Sequence, residues 1–492
     1  VIATVDLGTT FTKVALWDHD GLVAHSRVPI ATTHPAPGWA EQDPAAWWNS
    51  VVGAFADLRS RVGERLQSVD ALGCTGARQT VVLTDADGRP FGPALAWTDR
   101  RAVAEAVELA DDLGGPGAVF DRTGVPLDAG AVSAKVAWLA VHHRDQMELA
   151  SWLLAPRDLV AWRLTGEVVT DPTMASRSGL YDLDGHPVAG LAGAAAAKLP
   201  PVVPSDEVSG RLQAVAASEL GLVAGTPVVI GAGDRACEVV GTGADASRAM
   251  VSWGTTANLS SPRDERPAVR PTGMVLSRAA RTGWLIEGGL SAAGSFLEWL
   301  GRMTGHTPSA LAALAEGSPP GARGVTALPW LDGARAPWWR HQAGAGFVGL
   351  SSEHGLADLA RALFESVGWE VRRCLDAIEA GPGGGAPLAG MALAGTGAGV
   401  RAWVEVLTGI TGLPANRRQS GQAASAGAAL LAASAVGAGY DLETMDPVDE
   451  LVEPNPVIIE RYAALTAGSD RLTRGMLDLT TGSDDVGSGG PR

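Results

Sequence analysis

The feature that most constrains this chain is an internal echo. Val5-Asp6-Leu7-Gly8-Thr9-Thr10 returns as Val251-Ser252-Trp253-Gly254-Thr255-Thr256 midway along the 492 residues. Each copy is an apolar strand-like run that breaks at Gly-Thr-Thr and then resumes, as a hairpin does. Two such units at equivalent starts of two halves are what a duplicated domain pair leaves behind. A hairpin of this kind turns backbone N–H groups and two hydroxyls to one side, and its glycine lets an anion approach closely. The pair could therefore hold the phosphates of a nucleotide between two domains. No GxxxxGK[ST] occurs, which excludes the P-loop arrangement.

Strand-like and helix-like segments alternate along the rest of the chain, so the class is α/β. Strands are expected at IATVDLG, TKVALWD, DALGCTG, TPVVIGAG, AMVSWGT, TGWLIEGG and APLAGMALAGTG. Helices are expected at PAAWWNSVVGAFADLRSRV, VSAKVAWLAVHH, GSFLEWLGRMTG, LADLARALFESVGWEVRRCLDAI and VRAWVEVLTGIT. Gly381-Pro382-Gly383-Gly384-Gly385 reads as a helix-to-strand connector, and TTGSDDVGSGGPR at the end as a frayed tail. The division expected is 1–243, 244–437 and an extension over 438–492.

A net charge of −16 leaves no general basic face, so neither nucleic acid nor an anionic membrane is expected as a partner. Lysine is confined to Lys13, Lys135 and Lys198; that scarcity, with the Ala and Gly excess, reads as coding bias. Cys74, Cys237 and Cys374 form neither a metal pattern nor a disulfide framework. The start, VIATVDLG, reads as a strand and not as a signal segment, and no apolar run reaches spanning length, so a cytoplasmic protein is expected.

In VVIGAGDRACEVVG an apolar run breaks at Gly231-Ala232-Gly233, presents Asp234 and resumes as a helix. Asp234 could cap that helix or face a ligand at a strand end. Asp6, just before the first hairpin, is costly to bury unless a cation neutralises it, and Mg²⁺ bridging phosphates would do so. Phosphoryl transfer needs clamped phosphates, a placed metal and an acceptor hydroxyl oriented by a carboxylate. Asp6, the two hairpins and Asp234 contain those parts.

Assembled in this order, the segments resemble the FGGY family of carbohydrate kinases. VDLGTTFTKVAL and VSWGTTANLS are similar to its two phosphate hairpins. LAPRDLVAWRLTGEVVTDPTMAS (154–176) resembles its Pro-Lys-Asp segment with Arg157 for Lys, and AGFVGLSSEHGLADLARALFE (345–365) its C-terminal signature. LAGTGAGVRAWVEVLTGITGLP looks like its adenosine-binding stretch. The resemblance implies a two-lobed actin/hexokinase/Hsp70-like (ribonuclease H-like) fold with a cleft, ATP and Mg²⁺ as cofactors, and a homodimer. It implies Asp234 as the base on the sugar hydroxyl, with Asp6 and Asp234 near the metal. ATP would lie against Gly8, Thr9, Thr10 and Lys13, against Gly254, Thr255 and Thr256, and against Gly395, Gly397 and Ala398.

The acceptor is less sharply marked. Arg78-Gln79-Thr80-Val81-Val82 resembles the Arg-Glu-Thr-Thr-Val of glycerol kinases, and Trp97-Thr98-Asp99-Arg100-Arg101 their Trp-Gln-Asp-Arg-Arg. The tyrosine that closes the small glycerol pocket falls at Gly130, which predicts a larger pocket. Arg78, Gln79, Trp97, Asp99, Asp234 and Arg235 are the expected substrate residues. Arg78 and Arg235 would either grip a carboxylated substrate or pair with acids nearby. The expected acceptor is a ketose such as D-xylulose. The alternatives are glycerol or another polyol, an aldonate such as gluconate, and, in another class, a catalytically weak sugar- or ATP-binding regulator.

Overall fold

The computed structural model describes residues 1–380 and 387–481, so the Gly381–Gly385 connector and the end of the tail lie outside the described residues. The first lobe is built on the strands β1 (Ile2–Leu7), β2 (Phe11–Asp18), β3 (Gly21–Pro29), β4 (Ala71–Gly76), β5 (Val208–Arg211) and β6 (Pro227–Gly233). They lie in the order β3-β2-β1-β4-β6-β5. β1, β2 and β3 form an antiparallel meander, while β1, β4 and β6 run parallel.

The second lobe repeats this plan with β7 (Arg248–Trp253), β8 (Ala257–Arg263), β9 (Val275–Arg278), β10 (Trp284–Leu290), β11 (Gly390–Ala394), β12 (Ala415–Arg418) and β13 (Val448–Val452). Their order is β9-β10-β8-β7-β11-β12-β13. β7, β8 and β10 form the meander, β7, β11 and β12 run parallel, and an antiparallel edge strand closes each parallel row. The two hairpins occupy equivalent places, β1–β2 and β7–β8. The echo in the sequence is a duplicated topology.

Each expected strand and helix forms within a few residues of its expected bounds. Helix α1 (Pro44–Val62) shows why: Asp43 accepts from the Ala45 amide, proline fills the first turn and Gly63 ends it. Its apolar stripe, Trp47, Val51, Phe55 and Leu58, covers β2 and β3 and shares one core with Val14 and Leu16 of β2 and Ala3, Val5 and Leu7 of β1. Further helices are α2 (Val132–His142), α3 (Asp234–Thr242), α4 (Leu356–Glu379), α5 (Arg401–Thr411), α6 (Ala423–Ala435) and α7 (Pro456–Thr481).

Helices α3 and α6 lie between the sheets, with Ala236, Cys237, Ala428 and Leu431 in one cluster with Met250 and Leu285 of the second lobe. A Cβ on Gly241 would fall 1.9 Å from the Ala423 carbonyl oxygen, and one on Gly427 2.0 Å from that of Cys237. The glycines here are therefore a packing requirement, which corrects their reading as coding bias alone. Helix α6 also covers the far face of the first sheet, where Ser425 bonds Thr4 at 2.7 Å and Trp17 at 2.8 Å.

Of the stretch expected as an extension past residue 437, Tyr440, Leu442 and Met445 pack on the first lobe, and residues 448–481 pack on the second. The latter supply the edge strand β13 and helix α7, whose wholly buried Tyr462 donates to Glu365 at 2.8 Å. Among the described residues no helix is long and apolar enough to cross a membrane.

Candidate active site

A cleft of about 1760 Å³ separates the lobes. Small-ligand pockets are roughly 300–1,000 Å³, so this one has room for a nucleotide and a second molecule. Gly8, Thr9, Thr10 and Lys13 line one wall, and Gly254, Thr255 and Thr256 the other. The first hairpin is held by Gln42, which donates to the Thr9 carbonyl at 2.8 Å, and by Trp97, whose indole N–H donates to the Thr9 hydroxyl at 2.8 Å. The second is held by the start of the helix Gly294–Thr304: the Gly294 and Ser295 amides donate to the Gly254 and Thr255 carbonyls at 2.8 and 3.0 Å. A Cβ on Gly294 would sit 2.4 Å from the Gly254 oxygen, so glycine permits that approach.

Gly395 and Ala398 also line the cleft. Gly397 lies between them, packed so closely that a Cβ there would fall 1.9 Å from the Trp253 indole.

Asp234 is the first residue of α3, and Gly233, not Asp234, holds the cap position. Its carboxylate accepts from the Arg235 amide at 2.8 Å and keeps 27% of the side chain exposed. A bulge in β6 aims it. Gly231 has φ +65°, and a Cβ there would fall 1.8 Å from the Cys74 carbonyl oxygen. A buried network props that bulge: Arg157 bonds Asp171 at 2.7 Å and the Gly231 carbonyl at 3.2 Å, while Thr173 donates to Asp171 at 2.7 Å and accepts from the Gly233 amide at 2.8 Å. The 154–176 segment singled out in the sequence is thus the scaffold of Asp234.

Asp6 on β1 is 6% exposed, with Lys13 Nζ at 3.7 Å. Burial raises its carboxyl above the ordinary value; Lys13 opposes this, and the charges of Asp234 and Glu238 add to it. A buried carboxylate short of positive charge, with two more carboxylates near, suits a cation. Among the described residues no cluster of three or more His, Cys, Asp or Glu could hold a metal unaided. Mg²⁺ held by one or two carboxylates and completed by phosphates is a cation that Asp6 could take.

These parts match a known family over nearly the whole chain. Residues 1–241 match the N-terminal domain of the FGGY family of carbohydrate kinases, and residues 249–436 its C-terminal domain. The chain belongs to the FGGY family. It is 31% identical to the xylulose kinase of Escherichia coli strain K12 over 472 residues, 94% of this chain and 95% of that one. It is 30% identical to the glycerol kinase of Gloeobacter violaceus, with 92% of each covered. The crystal structure of xylulose kinase from Rhodospirillum rubrum superposes with a TM-score of 0.86 at 28% identity, covering 97% of this chain and 99% of that one. The two-lobed α/β architecture is that of FGGY kinases.

On the acceptor side of this FGGY cleft the expected residues divide. Trp97 and Arg235 line the cleft. Asp99 does not: it is wholly buried, accepting from the Ala40 amide at 2.7 Å and from Arg101 Nη2 at 2.8 Å, so it anchors its loop and its expected substrate contact is corrected. Gln79 is half-buried, and its side chain accepts from Arg177 at 3.2 Å.

The two arginines are paired. Arg78 makes a two-pronged contact with Glu287 of the second lobe at 3.0 and 2.7 Å and lies 3.5 Å from Asp234. A Cβ on Gly233 would fall 2.7 Å from the Arg78 side chain, so that glycine makes its path. Arg235 bonds Glu238 at 2.7 Å and the Ser252 hydroxyl at 3.3 Å. Of the two readings of these arginines, pairing is the one observed.

Four residues outside the expected site set complete this end. Glu238, four residues after Asp234 and so on the same helix face, lines the cleft and accepts from Ser252 at 3.0 Å. Burial alone would raise the Glu287 carboxyl; Arg78, helped by Arg177, reverses that and brings it to about 2. Lys135 of α2, wholly buried, donates to the Gln79 and Ala96 carbonyls at 2.8 and 2.7 Å, tying together the two acceptor loops. It supports Gln79 at φ +66°, a conformation a non-glycine residue holds only when its surroundings impose it. Burial lowers Lys135 to about 7, with Arg100 adding to the shift; a neutral amine still has the two donors that its two carbonyls require. The fourth is Arg100. A Cβ on Gly130 would fall 2.1 Å from Arg100 Nη1, so the expected vacancy is filled by a guanidinium.

Proposed function

We propose that this FGGY kinase transfers the γ-phosphoryl group of ATP to a hydroxyl of a sugar or sugar-derived polyol, with Asp234 as general base. The observation that supports this most strongly is the placement of Asp234. It stands partly exposed at a strand end propped by Arg157, Asp171 and Thr173, on the lobe that also carries Asp6 and one of two facing Gly-Thr-Thr hairpins. ATP would lie along both hairpins, its base toward Gly395 and Ala398. Asp6 would hold Mg²⁺, which when bound neutralises phosphate charge.

The acceptor oxygen forms a bond to the γ-phosphorus as the bond from that phosphorus to the β,γ-bridging oxygen breaks. The acceptor proton passes to Asp234 and ADP leaves. Closing the cleft excludes water, so that the bound hydroxyl and not water receives the phosphoryl group.

D-xylulose is the acceptor that the sequence resemblance favours. A second reading, an aldonate, has a specific observation behind it: the guanidinium of Arg100 at Gly130. The test is ADP release with Mg²⁺-ATP across D-xylulose, D-ribulose, glycerol, erythritol and gluconate, with Asp234→Asn alongside. Turnover of one acceptor that vanishes in Asp234→Asn is the expected result. Equal turnover in the variant would remove Asp234 as the base. ATP binding with no turnover of any acceptor would favour the regulator.

A further inference from the structure

Arg335 is the arginine that the pairing of its neighbours leaves over. It sits in the second-lobe loop Gly333-Ala334-Arg335-Ala336-Pro337 and lines the cleft with Arg100 and Asp128. Its guanidinium lies along Gly289, where a Cβ would fall 3.3 Å from Cζ, and its nearest aromatic partner is Trp339 at 5.9 Å. Among the described residues that guanidinium has neither a hydrogen bond nor an ion pair, unlike Arg78 with Glu287 and Arg235 with Glu238. Burial pulls its pKa down to about 10; Asp128 opposes this, and Arg100, Arg235 and Arg78 reinforce it.

Nearby, Arg177 is 6% exposed and its Nε pairs with Glu287 at 3.9 Å, while Nε and Nη1 make no hydrogen bond among the described residues. Arg100 donates only to the backbone carbonyls of Trp97 and Asp99, at 3.1 and 3.3 Å. Arg335 and Arg100 thus both line the cleft with no carboxylate partner among the described residues. Arg335 is half-buried and open to the cleft, and a carboxylate would meet a guanidinium so placed with two parallel bonds.

We propose that the acceptor carries a carboxylate, an aldonate in place of a neutral ketose or polyol, and that Arg335 binds it from the second lobe while Arg100 faces it from the first. This rests on the kinase reading and narrows its acceptor. The carboxylate is then also a lobe-bridging group: the acid end draws Arg335 toward Arg100 while a hydroxyl further along the carbon chain meets Asp234.

The experiment compares D-gluconate with sorbitol, and D-xylonate with xylitol and D-xylulose, by ADP release and by calorimetric binding without ATP. The wild type and the Arg335→Met and Arg335→Lys variants are run together. The expected kcat/KM is about 100-fold higher for each aldonate than for its alditol. Arg335→Met should lower that ratio at least about 30-fold, and Arg335→Lys should restore part of it. Neutral acceptors used as well as the acids, or a ratio unmoved by Arg335→Met, overturns the proposal. Aldonate binding that depends on Arg335 without any turnover supports the carboxylate site while removing the kinase reading, so the two failures are distinguishable.

Discussion

The two Gly-Thr-Thr hairpins share a topology and differ in charge. In the first lobe β1 carries Asp6 beside Lys13, and Asp234 and Glu238 stand close by on α3. In the second lobe the place of Asp6 is taken by Ser252, which donates to Glu238 and accepts from Arg235, both contributed by the first lobe. On the proposed mechanism the first copy meets metal and proton, and the second meets phosphate through backbone and hydroxyls, so a shared fold does not make the two walls interchangeable.

That division is open to a direct attack. Asp234→Asn should lower kcat by about a thousandfold while moving the KM for ATP by less than about threefold, as removal of a general base does; steady-state kinetics in both substrates reads it. Next in size is the matched pair at the equivalent hairpin positions. Asp6→Asn should cost on the order of 100-fold in kcat and raise the Mg²⁺ concentration needed for half-maximal rate, whereas Ser252→Ala should cost less than about threefold. Similar losses in both would end the asymmetry.

Glu287 is the buried second-lobe carboxylate that reaches into the first, and it holds instead of reacting. Glu287→Gln leaves Arg78 and Arg177 without their counter-charge and should destabilise the protein by roughly 3 kcal/mol, read from denaturant melts. Its carboxyl lies near 2 in the folded protein against an ordinary 4.5, so its contribution is complete above about pH 4.5 and is lost as pH falls toward 2. The wild type should therefore lose stability more steeply than Glu287→Gln over that window.

The last effect is expected inside the first lobe. Lys135 lies near 7 when folded and near 10.5 when unfolded, so its burial is least costly at high pH, and stability should rise as pH goes from 7 toward 10.5. Lys135→Met should flatten that rise and raise the KM for the acceptor but not for ATP, since both carbonyls it holds belong to acceptor loops.

What the sequence disclosed follows from the range of the interactions involved. The hairpins, Asp6, Asp234 and most of the strands are written in contiguous residues, because turns and strand patterns are local. Glu238 was within reach, one helical turn beyond Asp234. Glu287 acquires meaning only when β10 meets Arg78 across the cleft, and no local pattern marks it. Gly130 misled for the same reason: the missing ring was visible, but the guanidinium that fills its place comes from Arg100, thirty residues earlier in the chain. Asp99 misled in the opposite sense, since a motif aspartate looks alike whether it faces substrate or, as here, Arg101.

Helix α6 ties the halves together in a way that bears on how the gene could be cut. Although it lies far past the duplication boundary, it covers Ile2, Ala15, Trp17 and Ala71 on the far face of the first sheet. A fragment ending at residue 243 would leave that apolar face bare and would aggregate or unfold alone. Supplied with the remaining chain, it would regain its cover from the other piece. A bisected version of this enzyme is thus a natural split reporter, silent as separate fragments and restored by their reunion.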